Sequence, residues 1–86
     1  MARKPHTADE RAFGTVLGHV IAELRKEADM SGQDLAGSAC LSVDGLRKLE
    51  TGRVPDPGFQ TVLRLARSLG VTLDQLVEQV KARRDR

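Results

Sequence analysis

The sequence has no tryptophan and no tyrosine, and its only aromatic residues are Phe13 and Phe59. That excludes the rows of aromatic side chains on which single-stranded nucleic acids stack. The single cysteine, Cys40, cannot close an internal disulfide, so the fold must hold by packing. Its expected place is half-buried, as a small packing residue. No apolar run approaches the roughly 18 residues that span a bilayer. Met1-Ala2-Arg3-Lys4-Pro5 opens with leader-like charge, but no apolar stretch follows, so export is not expected. His6 and His19 stand apart from any Cys/His/Asp/Glu spacing that suits a metal, and both read as solvated. No metal or cofactor is expected. No nucleophile–base or carboxylate pair is evident, and so short a chain has no room for a sizeable pocket. An enzyme is therefore not expected.

With 86 residues the chain suits one small domain, burying a little over ~60% of the surface of its unfolded form. Net charge is only +2, but its distribution is uneven. Residues 12–41 sum to −2, residues 42–67 to +2 and residues 81–86 to +3. Basic charge thus gathers in the second half.

Strand patterns are absent, and helical periodicity runs almost throughout. Phe13, Val16, Leu17, Val20, Ile21, Leu24 and Ala28 share one stripe. Thr7-Ala8-Asp9-Glu10 has capping-box form and opens this helix, within which Gly14 and Gly18 cost about 1 kcal/mol each. Ser31-Gly32-Gln33-Asp34 caps a short second helix, and Ser42 caps a third with Leu46 and Leu49 inward. Gly52 ends that helix in left-handed conformation. In the loop 52–58, Asp56 is expected to cap a fourth helix with Pro57 at its first position. Gly70 stops it, and Thr72 caps a fifth. The expected helices are 8–28, 32–38, 43–51, 57–68 and 73–83. The expected core is Leu24, Leu35, Ala36, Leu46, Leu49, Val62, Leu65, Ala66, Leu69, Leu73 and Leu76.

The second and third helices, parted by Ala39, Cys40 and Leu41, form a helix-turn-helix candidate. The longer pattern is more specific. It runs Leu24-Arg25-Lys26-Glu27, Met30-Ser31 to Asp34-Leu35-Ala36, Leu41-Ser42 to Leu46-Arg47-Lys48-Leu49-Glu50-x-Gly52-Arg53, then Pro57 to Leu65-Ala66-x-x-Leu69-Gly70-Val71-x-Leu73-x-x-Leu76. It resembles the Cro/cI-like helix-turn-helix family of phage repressors and xenobiotic-response-element-type bacterial regulators, over residues 16–77.

The resemblance implies an all-α, five-helix bundle of the phage-repressor DNA-binding type, working as a homodimer on double-stranded DNA with its third helix in the major groove. Carried over by position, Val43, Asp44, Arg47 and Lys48 meet base edges or phosphates. Arg47 suits guanine O6/N7, Lys48 guanine or phosphate, Val43 a thymine methyl and Asp44 a cytosine N4 amine. Ser31, Gly32, Gln33 and Ser42, at the starts of helices 2 and 3, are placed for phosphates, as is Arg53. Arg25 and Glu50 match a buried ion pair between helices 1 and 3. The sequence departs from the family at Gly32, where a phosphate-clamping glutamine is common, at Cys40, where glycine is common, and at Gly45.

The domain reading is an N-terminal arm at 1–12, whose end is alternatively the start of helix 1, the helix-turn-helix domain at 13–80, and a frayed basic tail at 81–86. Val54, Pro55, Val77 and Val80 form the expected dimer surface; alternatively Val77 and Val80 complete the core. The function implied is a sequence-specific transcriptional regulator, cytoplasmic and nucleoid-associated. The alternative is a protein-interaction module on the same fold, antitoxin-like or regulator-binding, with a protein partner and little DNA binding.

Overall fold

The computed structural model describes residues 7–85, so the expectations for residues 1–6, His6 among them, and for Arg86 lie outside the described residues. The elements are α1 (Ala8–Glu27), α2 (Gly32–Ser38), α3 (Val43–Glu50), α4 (Phe59–Leu69) and α5 (Leu73–Arg84). The described residues contain no strand. No helix among the described residues is long and apolar enough to cross a membrane.

Local chemistry explains most helix starts. Thr7, Ser31 and Thr72 each accept the backbone N–H three residues on, and Glu10, Asp34 and Gln75 return the bond to the cap residue. Ser42 Oγ accepts from Gly45 N at 2.9 Å. The start of α4 differs from expectation. Its cap is Gly58, without a side-chain bond, and Asp56 and Pro57 lie before it. Pro55 is pressed against α1 at Gly14, and the chain uses residues 56–58 to climb away before α4 begins.

The first four helices stop the same way. A left-handed residue follows each: Asp29, Cys40, Gly52 and Gly70. The next N–H then reaches back five residues, in Met30→Arg25, Leu41→Ala36, Arg53→Lys48 and Val71→Ala66 bonds of 2.8–3.1 Å. Glycine adopts this conformation freely. At Cys40 the Cβ costs about 1–2 kcal/mol. Cys40 is also exposed, contrary to the half-buried place expected.

The core gathers Leu17, Val20 and Ile21 of α1, Leu35 and Ala36 of α2, Leu46 and Leu49 of α3, Leu65 and Ala66 of α4, and Leu76 and Val80 of α5. Ala39 joins them from the turn. Leu24, Val62, Leu69 and Leu73, expected inside, are only partly buried against it.

Three features fix α1 on α3. At Gly18 a Cβ would stand 1.9 Å from the Leu49 carbonyl oxygen, so only glycine permits this approach. Thr15 Oγ1 donates to the Gly52 carbonyl at 3.3 Å. Arg25 Nε and Nη2 donate to the two Glu50 carboxylate oxygens at 2.8 and 3.1 Å, while Nη1 donates to the Met30 carbonyl at 2.9 Å. Both side chains of the pair are about 85% buried, at 15% and 13% exposure. The bond to Glu50 raises the Arg25 pKa further above its ordinary range, against the opposing effect of burial.

Residues 81–84 continue α5 rather than fraying. Arg83 pairs with Glu23 and Arg84 with Asp9, and the Arg84 guanidinium lies 5.9 Å from the centre of the Phe13 ring. Residues 8–12 likewise belong to α1 rather than to an arm.

Two outcomes follow for stability. Gly18→Ala gains helix propensity but collides with the α3 backbone, so a net loss of about 1–3 kcal/mol is expected in urea unfolding. Glu50→Ala leaves Arg25 largely buried without its carboxylate. The expected loss is about 2–3 kcal/mol, below that of a wholly buried pair because the Met30 carbonyl remains. Thermal unfolding of the two variants beside the parent checks both values.

Candidate nucleic-acid interface

Eight residues make α3, and their two faces differ completely. Leu46 and Leu49 point into the core at 1% and 3% exposure. Val43, Asp44, Arg47 and Lys48 point outward. Val43, at 40% exposure, is an apolar side chain in water with no packing role that demands it there. Arg47 has no ion pair among the described residues, so its guanidinium fork is open to a bidentate acceptor. Lys48 differs. Its Nζ lies 3.3 Å from Asp44 Oδ2, one helical turn back, with both side chains largely in water.

The start of α2 adjoins this face. Gly32, Val43, Leu46 and Arg47 line one shallow cleft, floored by Arg25 and Glu50. The ion pair thus does more than tie α1 to α3. It closes the bottom of the cleft between α2 and α3. At Gly32 a Cβ would meet nothing within 4 Å, so the cleft stands open on that side. Ser31 and Gln33 flank it in exposed positions. The Ser31 and Ser42 hydroxyl oxygens already accept their own helix N–H groups at 3.0 and 2.9 Å, which leaves each O–H to donate outward. Arg53 is exposed just beyond Gly52, at the opposite end of α3 from Ser42. Basic and hydrogen-bonding groups therefore run along the α3 face from its start to its stop.

A second surface feature lies on α1, α4 and α5. Phe59 is 66% exposed and Val77 36%, and both border an apolar groove floored by Phe13, Leu17, Val62 and Leu76. Val80 is at the bottom of this groove with no exposure, so its expected place at a partner surface is corrected: it completes the core. The helical angle gives the reason. Val80 lies about 40° from Leu76 around the helix, whereas Val77 lies about 100° away, at the edge of the inward stripe. Val54 is half-buried against the core, and the exposed Pro55 turns its carbonyl toward α1.

Sequence reasoning missed the Asp44–Lys48 pair, although its four-residue spacing on one helix was the available signal. It also counted Gly14 and Gly18 only as helix weaknesses. Their spacing of four, which puts both on one face of α1, marked the line along which another backbone approaches.

The comparisons agree with this geometry. A helix-turn-helix domain family matches residues 16–84. The HTH-type transcriptional regulator DdrOP3 of Deinococcus deserti is 39% identical over 61 residues, which are 71% of this chain and 46% of that protein. The chain therefore aligns with somewhat under half the length of this curated relative. The matched span takes in all of α2 to α5, the outward face of α3 and the Arg25–Glu50 pair that holds it. This chain belongs to the helix-turn-helix domain family.

Proposed function

We propose that this chain is a sequence-specific regulator of transcription that binds double-stranded DNA as a homodimer and reads the major groove with α3. One observation carries the reading. α3 holds its two leucines in the core and presents Val43, Asp44, Arg47 and Lys48 to solvent from a backbone locked by Gly18 and Arg25–Glu50. A rigidly held face of this chemistry supports a reading role, since recognition needs its side chains fixed in place. Arg47 reads guanine, Val43 meets a thymine methyl, and Arg53, Ser31, Gln33 and Ser42 meet phosphates. The description of the Deinococcus relative as a transcriptional regulator supports the same reading.

One short helix reads only about four base pairs, so two copies are needed for useful specificity. Half-sites on one face of the duplex lie about 34–36 Å apart. The longer dimensions of the chain, 37 and 31 Å, suit two copies lying side by side at that spacing. The groove bordered by Phe59 and Val77, with Val54 and Pro55 beyond it, is the surface through which they meet. It holds a protruding ring beside a recess, as a two-fold contact with itself requires.

Two measurements test this. Duplexes selected from a random library should bind the protein with affinity that falls steeply as salt rises. Arg47→Ala should cost about 1–3 kcal/mol in binding and relax preference at one base position. Binding that is equal on all duplexes would overturn the reading. Val77→Glu should shift the sedimentation of the protein from dimer toward monomer and weaken DNA binding, with helix content unchanged because Val77 lies at the edge of the core. A parent chain that sediments as a monomer at high concentration would remove the dimer from the proposal.

A further inference from the structure

The outer face of α3 carries two cations and one carboxylate, and the carboxylate is aimed at one cation only. Asp44 Oδ2 stands 3.3 Å from Lys48 Nζ, while Arg47 is unengaged. With side chains 73% and 54% exposed, the pair is weak, and contact with another charge can part it. Asp44 also sits in the first turn of α3, where the helix dipole favours a negative charge, so helix stability alone offers a reason for it.

The geometry points to Asp44 as a specificity-determining residue that acts through Lys48, an inference that rests on the DNA-reading role of α3 proposed above. A duplex that presents a donor to Asp44, as a cytosine N4 amine does, satisfies the carboxylate and releases Lys48 to a phosphate or a guanine. A duplex with no donor there offers two poorer outcomes. Either the pair persists and the positive charge of Lys48 is neutralised, or the pair parts and the carboxylate faces the phosphates without compensation. Non-specific binding, which depends on cation–phosphate contacts, then loses about one contact. Specific binding keeps it. Asp44 therefore widens the ratio between right and wrong sequences chiefly by weakening the wrong ones. Arg47, without such a partner, contributes to both.

The test compares the parent chain, Asp44→Asn, Lys48→Gln and the double variant. Each is titrated across 50–200 mM salt against a generic duplex and a duplex selected by the parent. Asp44→Asn should tighten generic binding roughly five- to tenfold near 0.1 M salt and steepen the log–log salt slope by about 0.9. Its gain on the selected duplex should be smaller, so that the ratio narrows. Lys48→Gln should leave the salt slope of the parent on the generic duplex within about 0.3, since Lys48 held by Asp44 makes no net phosphate contact there, yet return the Asp44→Asn slope to that of the parent. A role confined to helix stability changes the melting temperature and leaves the slope where it was. An Asp44→Asn variant with an unchanged slope and equal effects on both duplexes overturns the proposal. So does a Lys48→Gln change that lowers the salt slope equally in both backgrounds. If Asp44→Asn fails to fold, Lys48→Gln in the parent alone decides: a slope lowered by about 0.9 on the generic duplex overturns the proposal. A parent chain with no salt-dependent duplex binding overturns the DNA-reading role itself, and this inference with it.

Discussion

A helix of eight residues has no appreciable stability of its own in water, because the entropy of starting it is not recovered over two turns. Every notable feature of this molecule bears on that constraint. The stability of α3 comes from its surroundings. Its inner leucines enter a core shared by all five helices. Its final turn meets α1 so closely that the only side chain tolerated at position 18 is a hydrogen atom. Its last residue, Glu50, is gripped by a planar guanidinium from another helix. Rigidity at this level matters for any surface that must match a partner to a fraction of an ångström.

The Arg25 side chain makes this arrangement directional. Two of its nitrogens face Glu50 and the third faces the Met30 carbonyl, so one flat group joins the end of α1, the approach to α2 and the end of α3. A lysine has the charge but not the fork, and meets at most part of that set. The pair also forms the floor of the cleft between α2 and α3. Structural and recognition roles converge on the same two residues, one layer apart.

Much of this was legible in the sequence, and the physical reason is local. Thr7, Ser31, Ser42 and Thr72 announce helix starts because a hydroxyl meets an N–H only three residues away. Gly52 and Gly70 announce stops for the same reason. What stayed hidden depended on distant residues. Asp56 and Pro57 carry the right chemistry for a helix start, but the packing of Pro55 on α1 delays α4 to Phe59. Cys40 has the wrong chemistry for a left-handed turn, yet the turn between α2 and α3 imposes it. Val77 and Val80 look equivalent as letters, although their angles from the inward Leu76 already set Val80 toward the core and Val77 at its edge. For the outward face of α3, the spacing of apolar residues showed which side chains face water. The spacing of Asp44 and Lys48 allowed their pairing, and the structure adds that Asp44 engages Lys48 and not Arg47.

The clasp between α1 and α5 has a consequence for the electric field of the molecule. Arg83 and Arg84 lie against Glu23 and Asp9, so a stretch that reads as the most basic in the sequence is largely neutralised where it stands. The arginines at 47, 53, 64 and 67 carry no such partners among the described residues, and they belong to α3, the loop after it and α4. Arginines without carboxylate partners therefore gather between positions 47 and 67, while the overall charge is only +2. Within about a Debye length of a polyanion, 8–10 Å, such a molecule experiences a torque as well as an attraction. Where uneven charge of this kind turns one face forward before contact, the fraction of correctly oriented collisions rises without any increase in net charge.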